Sequence, residues 1–177
     1  GSTYYNENNL NIPDGMSVTF FGLSGEKQAV IGVKGIDIAG SHSFIKFENV
    51  EIAGKAKKAD GNSTTNDYLF NQSKASTVGT IEFSNSFISG FKNTPVRLQG
   101  SDSKIIDLVK FENCTVYGAD SRTYSLIHID AGSGKGKIDN IEFSKTTVVY
   151  SGKCLVYSRN TDFTSLKLSD CTFSKLL

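Results

Sequence analysis

The chain has 177 residues, of which 38% are hydrophobic, and its 19 Lys and Arg against 18 Asp and Glu leave a net charge of +1. That balance gives no electrostatic reason to expect a nucleic-acid or acidic-membrane partner. No apolar run approaches the roughly 20 residues that a membrane-spanning helix needs, so no membrane insertion is expected in this segment. The length suits one domain, 1–177, and 17 Gly against 2 Pro suit many tight bends with few interrupted ladders.

In chain order, LNIPDGMSVTFFG (10–22) and AVIGVKGIDIAG (29–40) read as first, irregular coils. Residues 1–40, with Tyr4 and Tyr5, are therefore expected to form an N-terminal cap, and 41–177 the regular coils. Five segments then repeat one pattern: IKFENVEIAG (45–54), IEFSNSFISG (81–90), VKFENCTVYG (109–118), IEFSKTTVVY (141–150) and LKLSDCTFSK (166–175). Their third residues, Phe47, Phe83, Phe111, Phe143 and Leu168, are 36, 28, 32 and 25 residues apart. Self-similarity on this scale marks a stacked repeat whose loops vary in length while its strands do not.

Strict alternation within each segment is the period of a β-strand with one buried face. Aligned as columns, Ile45, Ile81, Val109, Ile141 and Leu166 are apolar, as are Ile52, Ile88, Val116, Val148 and Phe173. Between the first apolar column and the Phe column, Lys46, Glu82, Lys110, Glu142 and Lys167 alternate in sign. Parallel strands about 4.8 Å apart would turn that column into a ladder of opposite charges. Asn49, Asn85, Asn113, Lys145 and Asp170 mark a bend after the first strand, and Asn tolerates turn geometry well. DYLFNQ (67–72), PVRLQG (95–100), LIHIDAG (126–132) and CLVYSR (154–159) supply a further strand before each next anchor.

GKAKKADGNSTTND (54–67) reads as a loop projecting from the second regular coil. No interval shows the i, i+3, i+4 pattern of an amphipathic helix. The fold expected is all-β, a right-handed parallel β-helix forming a single-stranded solenoid of about five to six coils. The chain ends within a coil, so we expect an open last strand or, the reading we favour, flanking domains in a longer protein.

The three cysteines are expected to stay reduced. Cys114 and Cys171 share an inward column with Val50, Ser86 and Thr146, but two strand spacings, about 9–10 Å, exceed the roughly 7 Å limit for a disulfide. Both are expected to be buried as small hydrophobes. With no C-x-x-C and only His42 and His128 as histidines, no metal site is expected. Asn62, Asn71 and Asn113 head N-x-Ser/Thr sequons.

The candidate site lies on the outward side of the further strands. If Val96, Ile127 and Val156 point inward, Arg97, His128 and Tyr157 form one outward column, and Gln99, Asp130 and Arg159 the next. Arg and Asp bind sugar hydroxyls or carboxylates with defined geometry, and a Tyr ring can stack on a pyranose. An ordinary solvated face with one Asp–Arg ladder pair is the competing reading. Phe87, Phe91, Tyr117 and Tyr150 could add an aromatic platform, although Phe91 and Tyr117 sit beside glycines at bends and could simply cover the core edge.

The repeated Φ-x-F-x-N-x-x-Φ-x-G motif, beside the opening LNIPDGMSVTFFGLSG, resembles the pectate-lyase-like β-helix domains of secreted or lipid-anchored Bacteroidetes surface proteins, many of unknown function. The resemblance covers most of the chain. It implies an extracytoplasmic location, at the cell surface or in the periplasm, and a link to polysaccharide use, but it supplies no catalytic residue. The expected function is a non-catalytic carbohydrate-recognition or scaffold module, with a polysaccharide or oligosaccharide as partner and no cofactor. One alternative is a divergent polysaccharide lyase or hydrolase acting on acidic glycans, and calcium would enter only with lyase chemistry. The other is an adhesin-like structural spacer.

Overall fold

The computed structural model describes residues 3–6, 8–23, 28–57, 63–72, 75–99, 104–118, 125–130, 136–150 and 154–174. Asn62, Gly100, Ala131 and Gly132 lie outside them. The described chain is all β-strand and turn, stacked as a parallel solenoid of about five turns.

Three sheets run along it. The long-strand sheet contains Val18–Phe21, Gly40–Glu48, Ser76–Ser84, Lys104–Glu112, Lys137–Ser144 and Ser165–Ser169. After an Asn-type bend, each turn passes to the threonine sheet, which includes Val50–Ala53, Phe87–Ser89, Thr115–Tyr117, Thr147–Tyr150 and Thr172–Phe173. It then returns through the arginine sheet: Leu10–Ile12, Ile36–Ile38, Phe70–Gln72, Val96–Gln99, Ile127–Asp130 and Val156–Arg159. Within each sheet, neighbouring strands come from successive turns and pair in parallel.

The columns predicted from sequence are the observed register. Ile45 pairs with Ile81, Ile81 with Val109, Val109 with Ile141 and Ile141 with Leu166. The Phe column stacks face to face along the axis: Phe20–Phe47, Phe47–Phe83, Phe83–Phe111 and Phe111–Phe143 lie 4.9, 5.2, 4.7 and 4.7 Å apart with nearly parallel planes. A strand spacing of about 4.8 Å sets that distance, so the backbone ladder and the aromatic stack support each other.

The outward charge ladder forms in two parts, because Lys110 turns to Glu112 on its own strand, at 2.6 Å, and makes no ion pair with Glu142. Lys46 and Lys110 both reach Glu82, at 3.2 and 3.4 Å, and Lys167 reaches Glu142 at 2.9 Å. Such partly exposed pairs are worth under about 1 kcal/mol each. Glu82→Gln, which removes two of these pairs, is accordingly expected to cost less than about 2 kcal/mol of stability in urea unfolding, with the difference shrinking in molar salt. A loss above about 2 kcal/mol would show that the ladder holds the stack together.

All five bend residues, Asn49, Asn85, Asn113, Lys145 and Asp170, have positive φ between 48° and 56°. Asn is enriched there because its short polar side chain bonds locally and offsets the left-handed strain. Here Asn113 Nδ2 donates to Asn85 Oδ1 at 2.7 Å, and Asn49 Nδ2 donates to the Gly22 carbonyl at 3.0 Å.

Two expectations need correction. The 54–67 segment is more than a loop: Lys55–Lys57 and Ser63–Thr65 pair as an antiparallel hairpin. Backbone groups that leave the coil's ladder need partners, and this segment finds them in itself. Cys171 is only half-buried, whereas Cys114 is buried. Among the described residues, Ser165–Ser169 and Thr172–Phe173 are the edge strands of their sheets, and the same edge position exposes Leu166 and Leu168, whose equivalents Ile141 and Phe143 are buried. All three cysteines are thiols, as expected.

The inward column of Cys114 is also more polar than small hydrophobes would make it. Ser86 Oγ, Cys114 Sγ, Thr146 Oγ1 and Cys171 Sγ each donate to the carbonyl two residues back, on Ser84, Glu112, Ser144 and Ser169. One geometry therefore serves a hydroxyl or a thiol in four successive turns.

Candidate functional site

The arginine sheet gathers the candidate residues because inward apolar residues fix its phase. Val96, Ile127 and Leu98 are buried, so the intervening Arg97 and His128 point outward. The register pairs Arg97 with His128 and His128 with Tyr157, and then Gln99 with Asp130 and Asp130 with Arg159. The six residues thus occupy two adjacent columns over three turns. Outward does not mean exposed, however: His128 and Asp130 are buried at 6% and 9%, while Tyr157 is 45% exposed. The middle row forms a floor, with Arg97, Tyr157 and Arg159 more accessible above and below it.

Local contacts hold that floor in place. The Tyr157 ring meets His128 edge-on, with centroids 5.0 Å apart. Arg159 Nε lies 4.0 Å from Asp130 Oδ1, at the limit of an ion pair. Burial lowers the pKa of His128, and the nearby Arg97 charge lowers it further, with Asp130 acting in the opposite sense.

Tyr68, which precedes Phe70–Gln72, was missed by sequence reasoning. The Arg97 guanidinium lies 4.7 Å over its ring, and Arg97 Nη1 donates to its hydroxyl at 2.5 Å. This cation–π and hydrogen-bond clamp fixes the arginine's direction. The signal in the sequence was phase: Tyr68 lies two residues before an inward anchor, as Lys34 does before Ile36.

Beside Tyr68 opens a cleft of about 570 Å³, lined by Asn9, Lys34, Asp37, Asp67, Tyr68 and Lys92. These residues belong to the turns and first outward positions of successive arginine-sheet strands. Gly35 also lines the cleft, and a Cβ there would stand 3.4 Å from Asn9 Oδ1. Asp37 accepts a hydrogen bond from Asn9 Nδ2 at 2.9 Å. The buried amide of Asn66 donates to the Val33 carbonyl, tying two turns together at the cleft wall.

The aromatic platform is smaller than four residues. Phe91 is fully buried, its ring and backbone so close to Gly54 that a Cβ there would come within 2.7 Å. Tyr117 is 45% exposed and meets Phe87 edge-on at 5.5 Å. Among the described residues, no three His, Cys, Asp or Glu side chains are placed to hold a metal ion, and no helix is long and apolar enough to cross a membrane.

The chain matches no family model, no curated protein and no solved structure.

Proposed function

We propose that this solenoid is a non-catalytic carbohydrate-recognition module, whose ligand lies along the arginine sheet. The observation that carries the reading is the pairing of Arg97, His128 and Tyr157, beside Gln99, Asp130 and Arg159, in two adjacent outward columns. An extended oligosaccharide meets such a surface as a repeated ligand meets repeated rows. Guanidiniums supply directional donors to hydroxyls or carboxylates, and the half-exposed Tyr157 ring supplies an apolar face. An extracytoplasmic setting, in a surface protein of the pectate-lyase-like β-helix kind that serves polysaccharide use, belongs to the same proposal.

Binding is favoured over glycoside hydrolysis at these columns by their acid content. Asp130 is the one carboxylate among the six residues of the two outward columns, whereas a glycosidase uses two carboxyl groups about 5–9.5 Å apart.

The test is a glycan array followed by titration calorimetry, with and without calcium. A binding glycan should lose about 10- to 100-fold in affinity in the Arg97→Ala/Arg159→Ala variant, since one charged hydrogen bond contributes about 1.5–3 kcal/mol. Loss of binding to every glycan in the array, or an unchanged double variant, would sink the proposal. New unsaturated sugar ends absorbing in the ultraviolet would replace it with a lyase.

A further inference from the structure

The cleft beside Tyr68 brings together two lysines that lie outside the charge ladder. The ladder lysines Lys46, Lys110 and Lys167 are matched by carboxylates across the strands, and Lys137 is matched by Asp139. Lys34 and Lys92 line one cleft together with Asp37 and Asp67, and neither lysine is within ion-pair distance of a carboxylate among the described residues. Asp37, which could have served one of them, is engaged by the Asn9 amide. We propose that this cleft binds one acidic sugar ring, bearing a carboxylate or a sulfate ester, of a saccharide that continues onto the Arg97 and Arg159 columns. This rests on the reading of those columns as a glycan surface, and it adds the ligand's charge class and a second place of contact.

Four features favour that ligand. Lys34 and Lys92 give an anion two contacts in one concavity, and lysine acts on an anion as a point charge without demanding bidentate geometry. Asp67 lines the same cleft with an exposed carboxylate. It can accept from ring hydroxyls and works against multiply charged polyanions such as nucleic acid. The volume, about 570 Å³, lies within the roughly 300–1,000 Å³ of small-ligand sites. Finally, the walls are fixed before any ligand arrives: Asn66 N donates to the Gly54 carbonyl, Lys92 N to that of Asn66, and Asn93 N to that of Asp67. Preformed walls reduce the ordering cost of binding. Tyr68 joins the cleft to the outward columns, because the ring that lines the cleft also clamps Arg97.

Calorimetry on the full chain tests this with three probes of equal length: an oligogalacturonate, a sulfated galactan oligomer and a neutral galactan oligomer. At least one acidic oligomer is expected to bind more tightly than the neutral one at low salt. Lys34→Gln/Lys92→Gln should weaken that binding about tenfold or more, flatten its salt dependence and leave neutral binding unchanged. Which acidic oligomer responds separates carboxylate from sulfate. Both lysines are exposed, so the variant should keep its fold, with the wild-type urea midpoint as the control. Acidic binding that survives Lys34→Gln/Lys92→Gln but is lost in Arg97→Ala/Arg159→Ala overturns the cleft and leaves the sheet reading standing. Equal weakening of acidic and neutral binding overturns the charge class. No binding of any oligomer overturns the cleft proposal, and failure across the glycan array as well overturns the sheet reading.

Discussion

Replacing Phe83 with alanine is expected to cost about 3–5 kcal/mol of stability and to lower the melting temperature by roughly 10 °C. Phe83 is 1% exposed and lies between Phe47 and Phe111, with centroids 5.2 and 4.7 Å away. Truncation removes the buried ring and leaves a cavity whose walls are strands held at a fixed spacing, so they cannot close over it. A solenoid couples each turn only to its neighbours, so damage in the middle of the stack weakens two interfaces at once. Phe20→Ala should cost clearly less, because Phe20 is only half-buried and stacks on Phe47 alone in the column. Urea unfolding of the two variants in parallel checks this. A Phe83 loss below about 1 kcal/mol, or one no larger than that of Phe20, would contradict the stacked-column account.

A second large effect is expected at alkaline pH, from Cys114. This thiol is 3% exposed, and burial pushes its pKa up from 9.0 to about 11, against smaller opposing contributions from the hydrogen bonds it makes with backbone. In the unfolded chain the thiol loses its proton near pH 9, whereas the folded chain keeps it until about pH 11. The folded state therefore holds more protons between those values. Its stability from this group is fully present below pH 9 and is lost as pH rises toward 11. Roughly 2–3 kcal/mol is at stake. Cys114→Ser isolates the effect, because Ser86 already fills the equivalent position with the same bond to a carbonyl two residues back. The serine variant should lie within about 1 kcal/mol of wild type at pH 7 and overtake it above pH 9. Parallel stability curves from pH 7 to 11 would contradict the assignment.

What the sequence made legible follows from the geometry of stacking. In a parallel solenoid each column must suit one environment, so Phe47, Phe83, Phe111 and Phe143 repeat as one residue type and Lys46, Glu82 and Lys110 alternate in sign. The left-handed bend was readable for a similar reason: one backbone conformation recurs in every turn, and Asn49, Asn85 and Asn113 fit it best. Lys145 and Asp170 adopt the same φ, which shows that position in the repeat overrides residue preference there.

Features that depend on a break in the repeat were hidden. Cys171, Leu166 and Leu168 match their columns in sequence, but among the described residues they lie in the turn at the edge of the sheets, and that position exposes them. The Lys55–Lys57 and Ser63–Thr65 hairpin lies in a segment too polar in sequence to carry a strand pattern. The cleft of Lys34, Asp67 and Lys92 was missed for a third reason. Its residues come from turns, where each coil has its own length, so no column announces them. The six site residues fell between these cases. Their register was legible from the inward Val96, Ile127 and Val156, but the burial of His128 and Asp130 was not, since outward direction alone does not fix exposure.

One crosslinking experiment reaches the claim on which the candidate site and the stability predictions both depend, that equivalent residues of successive turns lie side by side. In a background with Cys114, Cys154 and Cys171 replaced by serine, Thr115→Cys/Thr147→Cys pairs adjacent turns and Thr115→Cys/Thr172→Cys pairs turns two spacings apart. Adjacent parallel positions stand about 4.8 Å apart, within disulfide reach, and the second pair about 9–10 Å apart, beyond it. Mild oxidation should crosslink the first pair and leave the second as thiols. Crosslinking of the second pair alone would contradict the register from which the site is built.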